Sequence, residues 1–195
     1  MGTVAALNQK MDITGGQHRV HVLRELIRDR ALLTDGPYKL ASGVDSPYLF
    51  DLKRLTLDRK GMHVVAHALA EALSQEPAEY LGGIELGAVP VIIEACMVSN
   101  RHALIVRKKT KERGTNQLVE GNYAPGSEVI VVDDVTTSGS SVLRAVEALK
   151  GVGCIVRKVY TIVDRQEGAA AALKKHGIEL CPLLLRSEFI EDAVA

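Results

Sequence analysis

Four aliphatic residues in a row, Val129-Ile130-Val131-Val132, run straight into two carboxylates, Asp133 and Asp134. A hydroxyl-rich stretch follows at once: Val135-Thr136-Thr137-Ser138-Gly139-Ser140-Ser141. A β-branched run of this kind has no polar face, so the strand over 128–132 must be covered on both sides, as in a parallel sheet flanked by helices. Val142, Val146 and Leu149 then recur at helical spacing. In open sheets of this class, ligands bind beyond the carboxyl ends of the strands. Thr136 to Ser141 would therefore set backbone amides and hydroxyls at a helix N-terminus, where a phosphate is stabilised. Gly139 lets the backbone approach that phosphate closely. Asp133 and Asp134 can accept hydrogen bonds from vicinal hydroxyls or reach a hydrated cation. A phosphate cradle beside two carboxylates fits a sugar phosphate better than a bare nucleotide. The plainer reading, an Asx or Ser/Thr turn capping a helix, explains one such residue but not the whole run.

The rest of the chain alternates strand and helix in the same manner. Val20, Leu23, Ile27 and Ala31 predict a helix over 18–33, and short strands are expected at 38–40 and 47–52. Asp58 is placed to cap a second helix with the apolar stripe Met62, Val65, Ala66, Leu69, Ala72 and Leu73. A strand at 80–84, a buried helix at 91–98 and a strand at 102–106 come next. Residues 107–122 are polar and basic without period, which reads as a long functional loop. Beyond the run at 128–141, a strand over 155–163, a helix over 168–176 and a strand over 178–185 complete the pattern. Strands alternating with helices imply an α/β fold with a doubly wound, mostly parallel sheet.

The chain's 195 residues suit one domain, expected over 18–195, with 1–17 as a flexible extension. With 24 basic and 24 acidic residues and only 4% aromatics, neither nucleic acid nor an anionic membrane is indicated as a partner. Cys96, Cys154 and Cys181 are dispersed in apolar runs, with no zinc or disulfide spacing, so a reduced, cytoplasmic setting is expected. No apolar stretch has the roughly 18 residues of a membrane span, and residues 1–17 lack the form of a secretory signal. Neither GxxxxGK[ST] nor GxGxxG after a strand is present, which argues against the common nucleotide-binding loops.

The run at 129–141 resembles the signature by which type I phosphoribosyltransferases bind 5-phosphoribosyl-1-diphosphate (PRPP). In that family the two acids contact the ribose hydroxyls and the turn holds the 5-phosphate. Four further landmarks, in family order, are similar to orotate phosphoribosyltransferases. Ser42-Gly-Val-Asp-Ser-Pro-Tyr-Leu-Phe-Asp51 resembles their base-recognition segment, and Gly83-Ile-Glu-Leu-Gly-Ala-Val-Pro90 their diphosphate loop. Arg107-Lys-Lys-Thr-Lys-Glu-Arg-Gly114, continuing to Val119-Glu-Gly121, looks like the mobile catalytic loop. Asp164-Arg-Gln-Glu167 resembles the tetrapeptide whose arginine meets the orotate carboxylate.

The resemblance implies a type I phosphoribosyltransferase fold with a small N-terminal hood. It implies transfer of the phosphoribosyl group to orotate, giving orotidine 5-phosphate and diphosphate in pyrimidine synthesis. Lys111, Arg107 and Arg113 take catalytic positions. PRPP contacts fall on Arg107, Lys108, Lys111, Arg113, Asp133, Asp134, Val135, Thr136, Thr137, Ser138, Gly139, Ser140 and Ser141. Orotate contacts fall on Thr137, Arg165, Leu49 and Phe50. Magnesium is the implied cofactor, with Asp133 and Asp134 in its outer shell. A homodimer sharing the catalytic loop between subunits is the implied assembly.

Chemistry agrees with these assignments. Diphosphate leaves as the sugar carbon gains cationic character, so cations on the leaving group stabilise charge that grows in the transition state. Orotate carries a carboxylate, which a guanidinium such as that of Arg165 binds bidentately. Enzymes for 6-oxopurines tend to carry an Asp where this chain has Thr137. Three positions depart from the family pattern: many members have Lys at the positions of Ala41 and Gly87, and His or Tyr at that of Arg113. Diphosphate contacts then fall more on backbone amides and on the basic loop, and Arg113 is excluded as a general acid at neutral pH. A phosphoribosyltransferase for another base and a non-catalytic PRPP sensor are the alternatives.

Overall fold

The apolar runs assemble into a six-stranded sheet in the computed structural model, which describes residues 16–39, 43, 45–109 and 117–190. The N-terminal part holds α1 (Gly16–Leu26), a π-helical turn (Ile27–Ala31), β1 (Leu32–Leu33), β2 (Tyr38–Lys39), β3 (Asp45–Ser46), β4 (Leu49–Phe50) and α2 (Lys53–Thr56). Then come α3 (Arg59–Ala72), β5 (Tyr80–Ile84), α4 (Ala88–Ser99), β6 (His102–Val106) and β7 (Val119–Glu120). The chain continues through β8 (Val129–Thr136), α5 (Ser140–Gly151), β9 (Lys158–Asp164), α6 (Ala169–Lys174) and β10 (Glu179–Leu185). No helix among the described residues is long and apolar enough to cross a membrane.

Strand order in the main sheet is β10-β9-β8-β5-β6-β7, and every neighbouring pair is parallel except β6 with β7. The crossover through α4 carries the chain from β5 outward to β6, while that through α5 carries it from β8 the other way to β9. The two windings part between β5 and β8, the point where such sheets open a crevice for ligands. Side chains of β8 alternate as the pleat requires. Ile130 and Val132 join the core under α3 and α4, whereas Val129 and Val131 join the one under α5 and α6. The doubly wound reading therefore holds.

The expected helix over 18–33 is shorter than its apolar spacing implies. Leu23, Ile27 and Ala31 are all buried, but the α-helix ends at Leu26 and a wider π turn carries the stripe on. Leu32 and Leu33 then leave the helix because their backbones pair with Phe50 and Leu49. With the β2–β3 pair, these residues form a small hood over one end of the sheet. Phe50 ties it to the C-terminal segment, meeting Tyr48 and Phe189 edge to face with centroids 5.8 and 5.3 Å away. Asp58 caps α3 as its position predicts, its carboxylate accepting from the amides of Lys60 and Gly61.

Elsewhere the boundaries shift. The strand ending in the two acids runs on to Thr136, because its ladder with β9 continues through Asp133↔Thr161, Val135↔Val163 and Thr136↔Asp164. The strand expected from 155 begins at Lys158, and Ile155 makes only an isolated bridge to Glu128. Within the expected loop over 107–122, Val119 and Glu120 form β7 against Val106 and Ile105. Two residues give no period to read.

Candidate active site

β5, β6, β8 and β9 run parallel, so the segments that follow them leave from one edge of the sheet. These segments are the ones singled out from sequence: 85–87, 107–109, 137–139 and 165–167. At this edge a cleft of about 340 Å³ is lined by Asp133 to Val142, by Leu49 and Phe50 of the hood, and by Arg165. Residues of three distant stretches of sequence thus converge on one volume, inside the range typical of small-molecule sites.

The phosphate turn has the expected form. Gly139 adopts φ +81°, a left-handed conformation that L side chains resist, and it opens α5 with no side-chain cap. The first-turn amides of this 12-residue helix have no side-chain cap, and such a terminus favours an anion. Ser138 Oγ and Ser140 Oγ lie 3.3 Å apart at the mouth. Thr136 Oγ1 is buried and has no hydrogen-bond partner among the described residues.

The two acids behave differently. Asp133 is buried, and burial first, then the neighbouring Asp134 carboxylate, pushes its carboxyl well above the usual range. Its Oδ1 accepts from the Asp134 amide at 3.1 Å. Asp134 is partly exposed to the cleft, and its Oδ1 accepts from the Val135 amide at 2.9 Å. Among the described residues no group of three or more His, Cys, Asp or Glu side chains could hold a metal ion.

Arg165 is 3% exposed. Its Nε donates to Glu167 Oε1 at 2.9 Å, Nη2 lies 2.9 Å from the same oxygen, and Nη2 donates to Ser46 Oγ at 3.3 Å. The guanidinium lies 4.6 Å from the centroid of the Tyr48 ring. The Arg165 amide donates to Thr136 O at 2.9 Å, which fastens this turn to the end of β8. Leu49, Phe50, Thr137 and Arg165 therefore share one cleft, as the sequence predicts.

The structure does not bring Arg107 and Lys108 into that cleft. Both stand at the stem of the basic loop. Arg107 pairs with Glu120 at 3.5 Å and donates to Lys109 O at 3.3 Å. The Lys108 amide donates to Glu85 Oε1 at 2.8 Å, and its carbonyl accepts from Arg144 Nη2 at 3.0 Å. Lys111 and Arg113, like Ala41, lie outside the described residues.

Sequence reasoning passed over Lys39 and Lys53, which also line the cleft, and the roles of Ser46, Tyr48 and Glu167 in holding Arg165. The signal for these three was present, since each lies inside a segment already singled out. The contacts that join the two segments, Tyr48 with Glu167 and Ser46 with Arg165, each span 119 positions, which no local pattern reveals.

Known proteins resemble this chain over most of its length. The phosphoribosyl transferase domain model matches residues 83–179. Orotate phosphoribosyltransferase from Pyrococcus furiosus is 39% identical over 173 residues, covering 88% of this chain and 95% of that protein. A solved Mycobacterium tuberculosis orotate phosphoribosyltransferase, in complex with 5-phospho-α-D-ribosyl 1-diphosphate, superposes with TM-score 0.73 at 32% identity over 88% of this chain and 98% of its own. A Corynebacterium diphtheriae phosphoribosyltransferase gives TM-score 0.78 at 32% identity with the same coverage. By identity over nearly all of both chains, and by its type I phosphoribosyltransferase fold, the chain belongs to the orotate phosphoribosyltransferase family.

Proposed function

We propose that the cleft at the carboxyl edge of the sheet binds PRPP and orotate together and joins them, releasing diphosphate and orotidine 5-phosphate. The observation that carries this reading is the convergence of an uncapped helix N-terminus, two carboxylates and a buried guanidinium on one cleft. The 5-phosphate sits on the amides and hydroxyls from Thr136 to Ser141. Asp133 and Asp134 accept from the ribose hydroxyls. Thr137, Leu49 and Phe50 hold the ring of orotate, and Arg165 meets its carboxylate.

With both substrates so placed, a ring nitrogen of orotate faces the anomeric carbon and displaces diphosphate in line. No residue acts as a covalent nucleophile. Lys111 and Arg113 balance the charge that grows on the leaving diphosphate, while Arg107 and Lys108 anchor the stem of their loop. Ser46, Tyr48 and Glu167 hold Arg165 rigid, so its charge is oriented before the substrate arrives.

Magnesium fits this site. Two adjacent carboxylates supply hard oxygen acceptors, and the buried member, disfavoured as an anion, gains from a cation nearby. Asp134 and Asp133 would hold it through water, and it would supply charge neutralisation for the diphosphate.

A single domain over 18–195, an extension before it and a cytoplasmic setting complete the proposal. The buried thiols of Cys96 and Cys154 support the last point, since burial raises both and leaves them unreactive. A homodimer is proposed from the outward side of α4 and the loop before it, where Leu86, Ile93 and Met97 are exposed.

One assay tests the reaction: purified protein, PRPP, magnesium and a panel of nucleobases, followed by ultraviolet absorbance and diphosphate release. Orotate should be consumed and hypoxanthine left intact. Turnover of a purine in preference to orotate overturns the assignment of the base, and PRPP binding without release of diphosphate overturns the enzyme.

A further inference from the structure

Gly87 stands between β5 and α4, across the switch point from the acids of β8. A Cβ built on it would lie 2.6 Å from Asp134 Oδ2, 2.8 Å from Oδ1 and 2.9 Å from the carboxyl carbon. All three near contacts are with one carboxylate, and none is with backbone. Ordinary contact begins near 3.4 Å, so any side chain at 87 forces Asp134 to retreat by most of an ångström.

Asp134 is already held from the other side, because its Oδ1 accepts from the Val135 amide at 2.9 Å. The carboxylate is therefore clamped between its own strand and the 85–87 segment, whose approach depends on the missing side chain. Glu85 fixes that segment in turn, its amide donating to Val106 O at 2.9 Å and its carboxylate accepting from the Lys108 amide.

We infer that Gly87 is a positioning residue: by presenting no side chain it fixes Asp134 at the junction of the ribose and diphosphate ends of PRPP. This rests on the reading that Asp134 contacts PRPP. It also changes the sense of the departure at this position. Gly87 is not a lysine lost from the diphosphate loop but part of an arrangement that a lysine would disrupt, because lysine brings the same Cβ.

The test compares wild type, Gly87→Ala, Gly87→Lys, Asp134→Ala and the double variant Gly87→Ala with Asp134→Ala. PRPP affinity in the presence of magnesium is measured by calorimetry, kcat/KM by absorbance, and the melting temperature on the same samples. Displacing a reacting group by about 1 Å costs up to roughly a hundredfold, so Gly87→Ala and Gly87→Lys should each lose about ten- to a hundredfold in kcat/KM. Their melting temperatures should hold, because the three nearest atoms to the added Cβ belong to one carboxylate that borders the cleft, and none belongs to backbone. In the Asp134→Ala background the alanine at 87 should make no further difference, since nothing remains to displace.

A gain of activity in Gly87→Lys overturns the inference, as do additive losses in the double variant. A fall in melting temperature that accounts for the lost activity overturns it too. If Asp134→Ala weakens PRPP binding but Gly87→Ala does not, the inference about Gly87 alone fails. If Asp134→Ala leaves PRPP affinity unchanged, the reading of Asp134 fails first and takes the inference with it.

Discussion

Arg165 and Asp133 are buried charged groups of opposite kinds, and the difference separates stability from function at single residues. Arg165 is matched within the protein, by Glu167, Ser46 and the face of Tyr48. A hydrogen bond to a charged group contributes roughly 1.5–3 kcal/mol, and with Nε and Nη2 engaged by Glu167 and Ser46 a bidentate grip on orotate is not available. Arg165→Ala should therefore lose about ten- to a hundredfold in orotate efficiency. Uracil, which has no carboxylate, should lose far less, and PRPP affinity should hardly move. Equal losses with both bases would make the arginine structural. Asp133 has no cation against it among the described residues, and burial raises its pKa, so between the unfolded and folded values the folded state binds the proton more tightly than the unfolded chain does. Folding stability from this group is then full below the unfolded value of about 3.9 and is lost as pH rises toward the folded one. Without PRPP or divalent cation, Asp133→Asn should melt above wild type at pH 8, with the difference shrinking toward pH 4. The same variant should bind PRPP more weakly. Parallel melting curves across pH would show that Asp133 is ionised in the free protein and remove this account.

At the scale of elements, α5 serves the site at two places. Its N-terminus offers the phosphate cradle, and one turn on, Arg144 grips the Lys108 carbonyl while Glu85 holds the amide of the same residue. The stem of the basic loop is thus tied to the helix proposed to receive the 5-phosphate. Arg144→Ala should reduce kcat by about two- to tenfold, the worth of one exposed hydrogen bond, while leaving the PRPP dissociation constant nearly unchanged. Arg144→Lys should recover most of the loss. If affinity and turnover fall together and lysine does not rescue, Arg144 is doing something other than holding the stem. Much of this layout was legible beforehand where a period or an apolar run was long enough to read. The strands Tyr80–Ile84 and His102–Val106, and the Asp58 cap, needed only local chemistry. The polar half of β8 was not legible, because Asp133 to Thr136 are strand residues only by virtue of their ladder with β9. The pairing of β7 and the grip on Lys108 were hidden for the same reason: each depends on a partner that the local sequence does not contain.

The whole molecule presents the cleft on one edge and an unpartnered apolar strip beside it. Met97 is 77% exposed, and with Ile93 one helical turn before it and Leu86 in the turn between β5 and α4 it marks the side of α4 that turns away from the core. Soluble monomers seldom leave such residues clustered, and the strip adjoins the 85–87 segment on the diphosphate side of the cleft. A second copy related by a two-fold axis would cover it and bring a second basic loop near each cleft. The expected consequence is complementation. Lys111→Ala removes a loop cation but keeps the cleft, whereas Asp133→Asn with Asp134→Asn disables the cleft but keeps the loop. Each protein alone should be nearly inactive. If the loop acts across the interface, a mixed dimer contains one site built from an intact cleft and an intact loop, and one site defective in both. Random exchange between equal amounts makes about half of the dimers mixed, so roughly a quarter of wild-type activity should return. If the loop acts within its own subunit, each mixed dimer has two singly damaged sites and no activity returns. Mixed dimers can be verified by a tag on one partner, so inactive dimers of proven composition would place Lys111 in its own subunit's site, and a monomeric wild type at assay concentration would exclude sharing altogether.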